Sequence, residues 1–173
     1  MVLKKKIIII YQPWRKFSES LHKPLCENLK KLGYYVEYLD IENPPKFENK
    51  NLKDKLINIY FRRFKKDTSY IYTAEKNHYN KFNIKKIGEI KNKKYDYILI
   101  IKPDEFTPKF IKKASQLGNA TAGYIWDGIR HFFLESLHKS RIYFDYLYSF
   151  DHNDIQKYPE LDLSFITNYY VYD

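Results

Sequence analysis

At 173 residues the chain has the length of one domain able to bury a normal core. Hydrophobic residues at 44% alongside 30% charged residues exclude a disordered chain. The single Cys26 excludes an internal disulfide and any cysteine-rich metal cluster.

Met1 to Lys6, followed by four isoleucines, mimics a basic leader with an apolar stretch. Tyr11-Gln12-Pro13-Trp14-Arg15 follows at once, so the run is too short for export or a membrane span, and a cytoplasmic location is expected. Lys5 to Tyr11 instead predicts a fully buried strand, because it is a continuous β-branched run of strand length. After a loop from Gln12 to Phe17, a helix is expected to start near Ser18 or Ser20. Leu21, Leu25, Leu29 and Leu32 form its apolar stripe, with Cys26 among them, and Gly33 is its stop. Tyr34 to Leu39 predicts a second strand ending at Asp40.

Asn43-Pro44-Pro45 breaks the chain. Leu52 to Lys66 is an amphipathic basic helix by periodicity, with Leu52, Leu56, Ile57, Ile59, Tyr60, Phe61 and Phe64 on one broad arc. Its simplest role is to pack that arc on the sheet and present a solvated basic back. A second role is to lie on an anionic membrane surface. A further helix over about Ala74 to Lys93 has Phe82, Ile87 and Ile90 for its core face. Tyr95 to Ile101 predicts a third buried strand, ending at Lys102-Pro103-Asp104. Thr107-Pro108 supplies an N-cap and a first-turn proline for a helix that buries Phe110, Ile111, Ala114 and Leu117, with Gly118 as its stop.

Ala120 to Trp126 is expected to be the fourth strand, followed by a helix from about Arg130 to Ile142 and a fifth strand from Tyr146 to Phe150. Asp151 and Asp154 read as the cap and acidic first turn of a short helix that stops at Pro159. Alternating strands and helices predict an α/β fold: a Rossmann-like three-layer α/β/α sandwich with a mostly parallel sheet, formed by residues 1–173 as a single domain.

Charge divides along the chain. Residues 1–119 carry 27 basic and 13 acidic side chains and residues 120–173 carry 4 and 8, so an anionic partner belongs to the first part. Residues 46–66 alone hold eight basic and two acidic side chains. Arginine is scarce, so specific nucleic-acid binding is not favoured. The loop after the first strand lacks glycine, which removes the dinucleotide fingerprint and the P-loop, and no cofactor is expected. The five histidines show no metal-ligand spacing, and no metal is expected.

Three apolar runs end at acids: Gly123-Tyr124-Ile125-Trp126-Asp127-Gly128, Tyr143-Phe144-Asp145 and Ser149-Phe150-Asp151. In a parallel sheet such stops mark carboxyl ends of strands, where ligands bind. Asp127 is the catalytic candidate, as a general base toward a hydroxyl; the competing role is to cap the helix beginning near Ile129. Tyr124 and Trp126 serve either as a stacking platform for a sugar or as core. Asp145, Ser149 and Asp151 read as structural.

From about residue 93 to 160 the chain resembles the N-terminal half of bacterial GT-B-fold glycosyltransferases of capsule and lipopolysaccharide biosynthesis. The likeness rests on Lys93 to Lys102, Tyr124-Ile125-Trp126-Asp127-Gly128, Tyr143-Phe144-Asp145, and Ser149 to Asp154 with Tyr158. It implies transfer of a sugar from a nucleotide-sugar to a surface-polysaccharide or lipopolysaccharide acceptor. It also implies that this domain holds a glycan or lipid-linked acceptor, with Asp127 functional. Gln12 and Trp14 after the first strand, and Tyr124, Trp126, Gly128 and Arg130 around the fourth, are then the expected substrate-binding set. The second, donor-binding domain of such enzymes has no counterpart in these residues, so catalysis by this half alone is not expected. A peripheral position at the inner face of the cell membrane suits such an enzyme. The alternative is a stand-alone α/β binding or regulatory module that takes a polyanion through residues 46–66.

Overall fold

The computed structural model describes residues 4–11, 19–39, 47, 52–66, 69–90, 94–129 and 133–167. In chain order its elements are β1 (Lys6–Ile10), α1 (Glu19–Lys31), β2 (Tyr35–Leu39), α2 (Leu52–Phe64), α3 (Ser69–Glu89), β3 (Tyr95–Ile101) and α4 (Pro108–Ser115). Then come β4 (Gly118–Ile125), α5 (Leu134–Ser140), β5 (Tyr146–Ser149), α6 (His152–Lys157) and β6 (Ser164–Phe165). Single 3-10 turns lie at Pro103–Glu105, Arg141–Tyr143 and Pro159–Leu161.

The six strands form one parallel sheet in the order β2-β1-β3-β4-β5-β6. This is the Rossmann-like layered architecture expected from the alternating pattern. The chain winds outward from β1 to β2, returns to β3 on the other side of β1, and then proceeds strand by strand. The winding therefore reverses between β1 and β3, and the crevice outside their carboxyl ends is where such sheets bind ligands.

Burial on both faces explains the unbroken apolar runs. Ile8, Ile10, Ile98 and Ile100 point to one face and join Phe106, Phe110, Ile111 and Leu137 beneath α3, α4 and α5. Ile7, Ile9 and Ile101 point to the other and join Cys26, Leu25 and Leu29 of α1. Gly33, at φ +92, closes α1 in the left-handed region, as the sequence predicts. Thr107 Oγ1 accepts from Phe110 N, and Asp151 Oδ1 accepts from Asn153 N, so both predicted caps form.

Three expectations need correction. Leu32 lies just beyond α1 and is exposed, because the helix ends before it can face the sheet. Gly118 does not stop α4, whose C-cap is Gln116; it is the first residue of β4. A Cβ there would meet Ile98 Cγ1 at 2.9 Å and Tyr95 O at 3.0 Å, so close strand packing is what requires glycine. Helix α5 begins at Leu134, and residues 130–132, where a helix capped by Asp127 would start, lie outside the described residues. Finally, α2 does not lay its apolar arc on the sheet: none of its residues is buried, and Phe61 stacks instead on Tyr70 of α3.

Candidate functional site at the carboxyl edge of the sheet

The site is built from the loop that leaves β3. Ile101 is the last strand residue, and Lys102 turns into the left-handed region at φ 56, ψ 57. A lysine pays for that backbone with steric strain that glycine avoids, so its side chain must be held by other contacts. Lys102 N donates to Tyr124 O at 2.8 Å, which anchors the turn to β4. Pro103 then opens a tight 3-10 turn that closes through Phe106 N to Pro103 O at 3.1 Å.

The side chain of Lys102 bridges two carboxylates. Its Nζ lies 2.8 Å from Glu105 Oε1 and 2.7 Å from Asp127 Oδ2. Lys102 and Glu105 have side chains only 10% and 5% exposed, whereas that of Asp127 is 35% exposed. Burial opposes the lysine charge, but Glu105 and Asp127 outweigh it and hold the ammonium above its ordinary range. Asp127 is thus fixed from behind while solvent still reaches it.

Beneath this bridge lies a second layer of charge. Asp104 is fully buried, and neither carboxylate oxygen has a hydrogen-bond partner in another residue. Burial lifts its carboxyl to about 6, against the pull of Lys102 and Lys76. Lys76 of α3 donates to Asp104 O at 2.6 Å and stands over the Phe133 ring at 4.5 Å. Burial lowers that amine to about 8, opposed by Asp104 and Glu105. One turn along α3, Asn80 Oδ1 accepts from Thr107 N at 2.8 Å, and its Nδ2 donates to Glu105 O at 3.3 Å. Together Lys76 and Asn80 pin the middle and the far end of the loop to α3.

Neither residue stands out in the sequence, where α3 reads as Lys/Asn-rich outside its apolar positions. A signal was nonetheless present. Lys76, Asn80, Asn83 and Ile87 share one helix face by their spacing, and all four are buried. Polar residues in register with a core position point inward with it.

The loop after β4 is held from its other side. Asp154 accepts from Ile129 N at 3.1 Å and from the buried Ser149 Oγ at 3.0 Å. Gly128, at φ +79, supplies the backbone turn that brings this strand end toward Asp151 and Asp154. Asp145 Oδ2 accepts from Thr121 N at 2.8 Å. Asp145, Ser149 and Asp151 therefore have structural work to do, as expected.

Of the predicted site residues, the structure brings Tyr124, Trp126, Asp127 and Gly128 to one edge. Tyr124 is buried, which suits core packing and not an open stacking face. Trp126 is partly buried and meets Tyr11, at the end of β1, edge to face with centroids 5.7 Å apart. That contact crosses the end of β3, on the face of the sheet that α1 covers. Gln12, Trp14 and Arg130 lie outside the described residues, as does Asp40.

Among the described residues no group of three or more His, Cys, Asp or Glu side chains is placed to hold a metal ion. No helix among the described residues is long and apolar enough to cross a membrane. The fold and this edge define a Rossmann-like α/β domain with a charged, partly buried carboxyl edge. No protein-family model, curated protein or solved structure matches the chain.

Proposed function

We propose that this domain is the acceptor-binding half of a glycosyltransferase that moves a sugar from a nucleotide-sugar to a surface-polysaccharide or lipopolysaccharide acceptor. The observation that carries the reading is Asp127: a solvent-reachable carboxylate beyond the end of a parallel strand, fixed by a buried lysine. In this role Asp127 accepts the proton of an acceptor hydroxyl as that oxygen bonds to the sugar's anomeric carbon. The nucleotide diphosphate leaves with the electron pair of the broken bond. The Lys102 bridge keeps the carboxylate oriented before the acceptor arrives, which lowers the entropy cost of alignment. Trp126 offers an apolar wall for a sugar ring beside it.

The donor and its phosphates belong to a second domain in this reading, and the enzyme works as a peripheral protein at the inner face of the cell membrane. A second α/β domain encoded after Asp173 is therefore expected. In the enzyme reassembled with that domain, Asp127→Asn is expected to lower turnover about a hundredfold or more while acceptor binding, read by isothermal titration, stays within a few-fold. Normal turnover in the Asp127→Asn enzyme would remove the base assignment.

A further inference from the structure

Among the described residues, helix α2 is joined to the domain through α3. Phe61 stacks on Tyr70 of α3 with centroids 5.6 Å apart, and the Tyr70 hydroxyl donates to Asp54 Oδ1 at 3.2 Å. The other side is open. Leu52, Leu56, Tyr60 and Phe64, spaced four residues apart, make a row along the helix with Ile59 beside it. These five large apolar side chains are 49–74% exposed. Lys53, Lys55, Arg62, Arg63, Lys65 and Lys66 are exposed around them. Asp54, the single acid between Leu52 and Lys66, is turned to Tyr70 and does not offset this charge on the open side.

We propose that α2 docks the domain on an anionic phospholipid surface, lying in the plane of the headgroups. Depth sorts the two kinds of side chain: the apolar row enters the acyl boundary, while the long basic chains reach back to lipid phosphates. Other occupants suit the surface less well. A nucleic acid takes the charge but leaves the aliphatic row in water. A second copy of this chain sets like charge against like charge. A protein core laid on the row has to bury Lys53 and Arg63, which the helical spacing places on the same arc. The inference names the partner behind the peripheral location above, but it stands on α2 alone and does not need the transferase reading.

The test is cosedimentation of the full 173-residue protein with vesicles of phosphatidylglycerol and phosphatidylcholine mixed about one to two, and with phosphatidylcholine alone. Binding is expected on the mixed vesicles, is weak on the neutral ones, and falls as salt rises. The combined Leu56→Ser, Tyr60→Ser, Phe64→Ser variant changes exposed side chains only, so circular dichroism should show the fold unchanged while vesicle affinity drops roughly tenfold or more. Arg62→Glu with Arg63→Glu is expected to weaken binding similarly. No binding to mixed vesicles at low salt overturns the proposal. So does a serine variant that binds as well as the parent, which is the behaviour of a purely electrostatic polyanion site. A dimer that sediments as such and is dissolved by the serine variant also overturns it, since the occupant is then a second copy. Enzymatic activity is not read, so failure of the transferase reading leaves these outcomes unchanged.

Discussion

Lys102, at the end of β3, donates to Asp127, beyond the end of β4, across 2.7 Å, and the same ammonium reaches Glu105 at 2.8 Å. One buried lysine thereby couples two strand ends and holds in place an acid that solvent still reaches. The consequences can be measured.

Removing the lysine takes a cation from two acids, one of them buried. Lys102→Met is expected to cost about 3 kcal/mol in urea unfolding, because the Glu105 carboxylate stays in the interior without its cation. Asp127→Asn breaks the more exposed limb and is expected to cost about 1 kcal/mol or less. Equal losses for the two variants would mean that the bridge does not divide into an inner and an outer limb.

Asp104 makes stability depend on pH. Its carboxyl rises from 3.8 to about 6 on burial, so between those values the folded state binds more protons than the unfolded one. Stability from this group is full below about pH 4 and is lost as pH rises through 6, a change on the order of 3 kcal/mol. The charges that face it are Lys102, Lys76 and Asp127. Asp104→Asn should remove this fall, so the variant gains on the parent between pH 4 and 7 in urea titrations. A parent and variant that run in parallel across that range would contradict the placement of Asp104.

Asn80 ties α3 to the loop after β3 through Thr107 N and Glu105 O. Asn80→Ala leaves the partly buried Thr107 amide without this acceptor and is expected to cost about 2 kcal/mol. Amide exchange should accelerate first at Thr107. Unchanged protection there would show that the loop is held by other means.

Gly118→Ala places a methyl against Ile98 and Tyr95 O and is expected to lose about 1–3 kcal/mol. A helix-stop role predicts little change, because Gly118 lacks the positive φ that a left-handed cap uses. Thermal unfolding of the single variant separates the two.

These sites also show what a sequence can reveal. The runs at Ile7 to Ile10 and at Tyr95 to Ile101 were legible because burial on both faces leaves no polar alternation to confuse with a helix. Thr107-Pro108 and Asp151 were legible because a cap is local chemistry. Strand order was not: the return of β3 to the free side of β1 depends on where α2 and α3 lie, and no local pattern encodes it. Periodicity correctly gathered Leu52, Leu56, Tyr60 and Phe64 on one face, but it cannot say whether anything covers that face. Lys76, Asn80 and Asp104 escaped because a polar residue is read as outward until its partners are known. Asp127 was singled out by its position at a strand end, and its tie to Lys102 joins two loops distant in sequence.

Amide chemical-shift mapping of the 173-residue protein during titration with candidate acceptor glycans tests whether ligand meets the carboxyl edge between β1, β3 and β4. Shifts are expected to concentrate at Tyr11, Lys102, Trp126, Asp127 and Gly128, and to be lost in Lys102→Met. Shifts gathered at the opposite edge, around Lys6, Tyr35 and Tyr95, would contradict it.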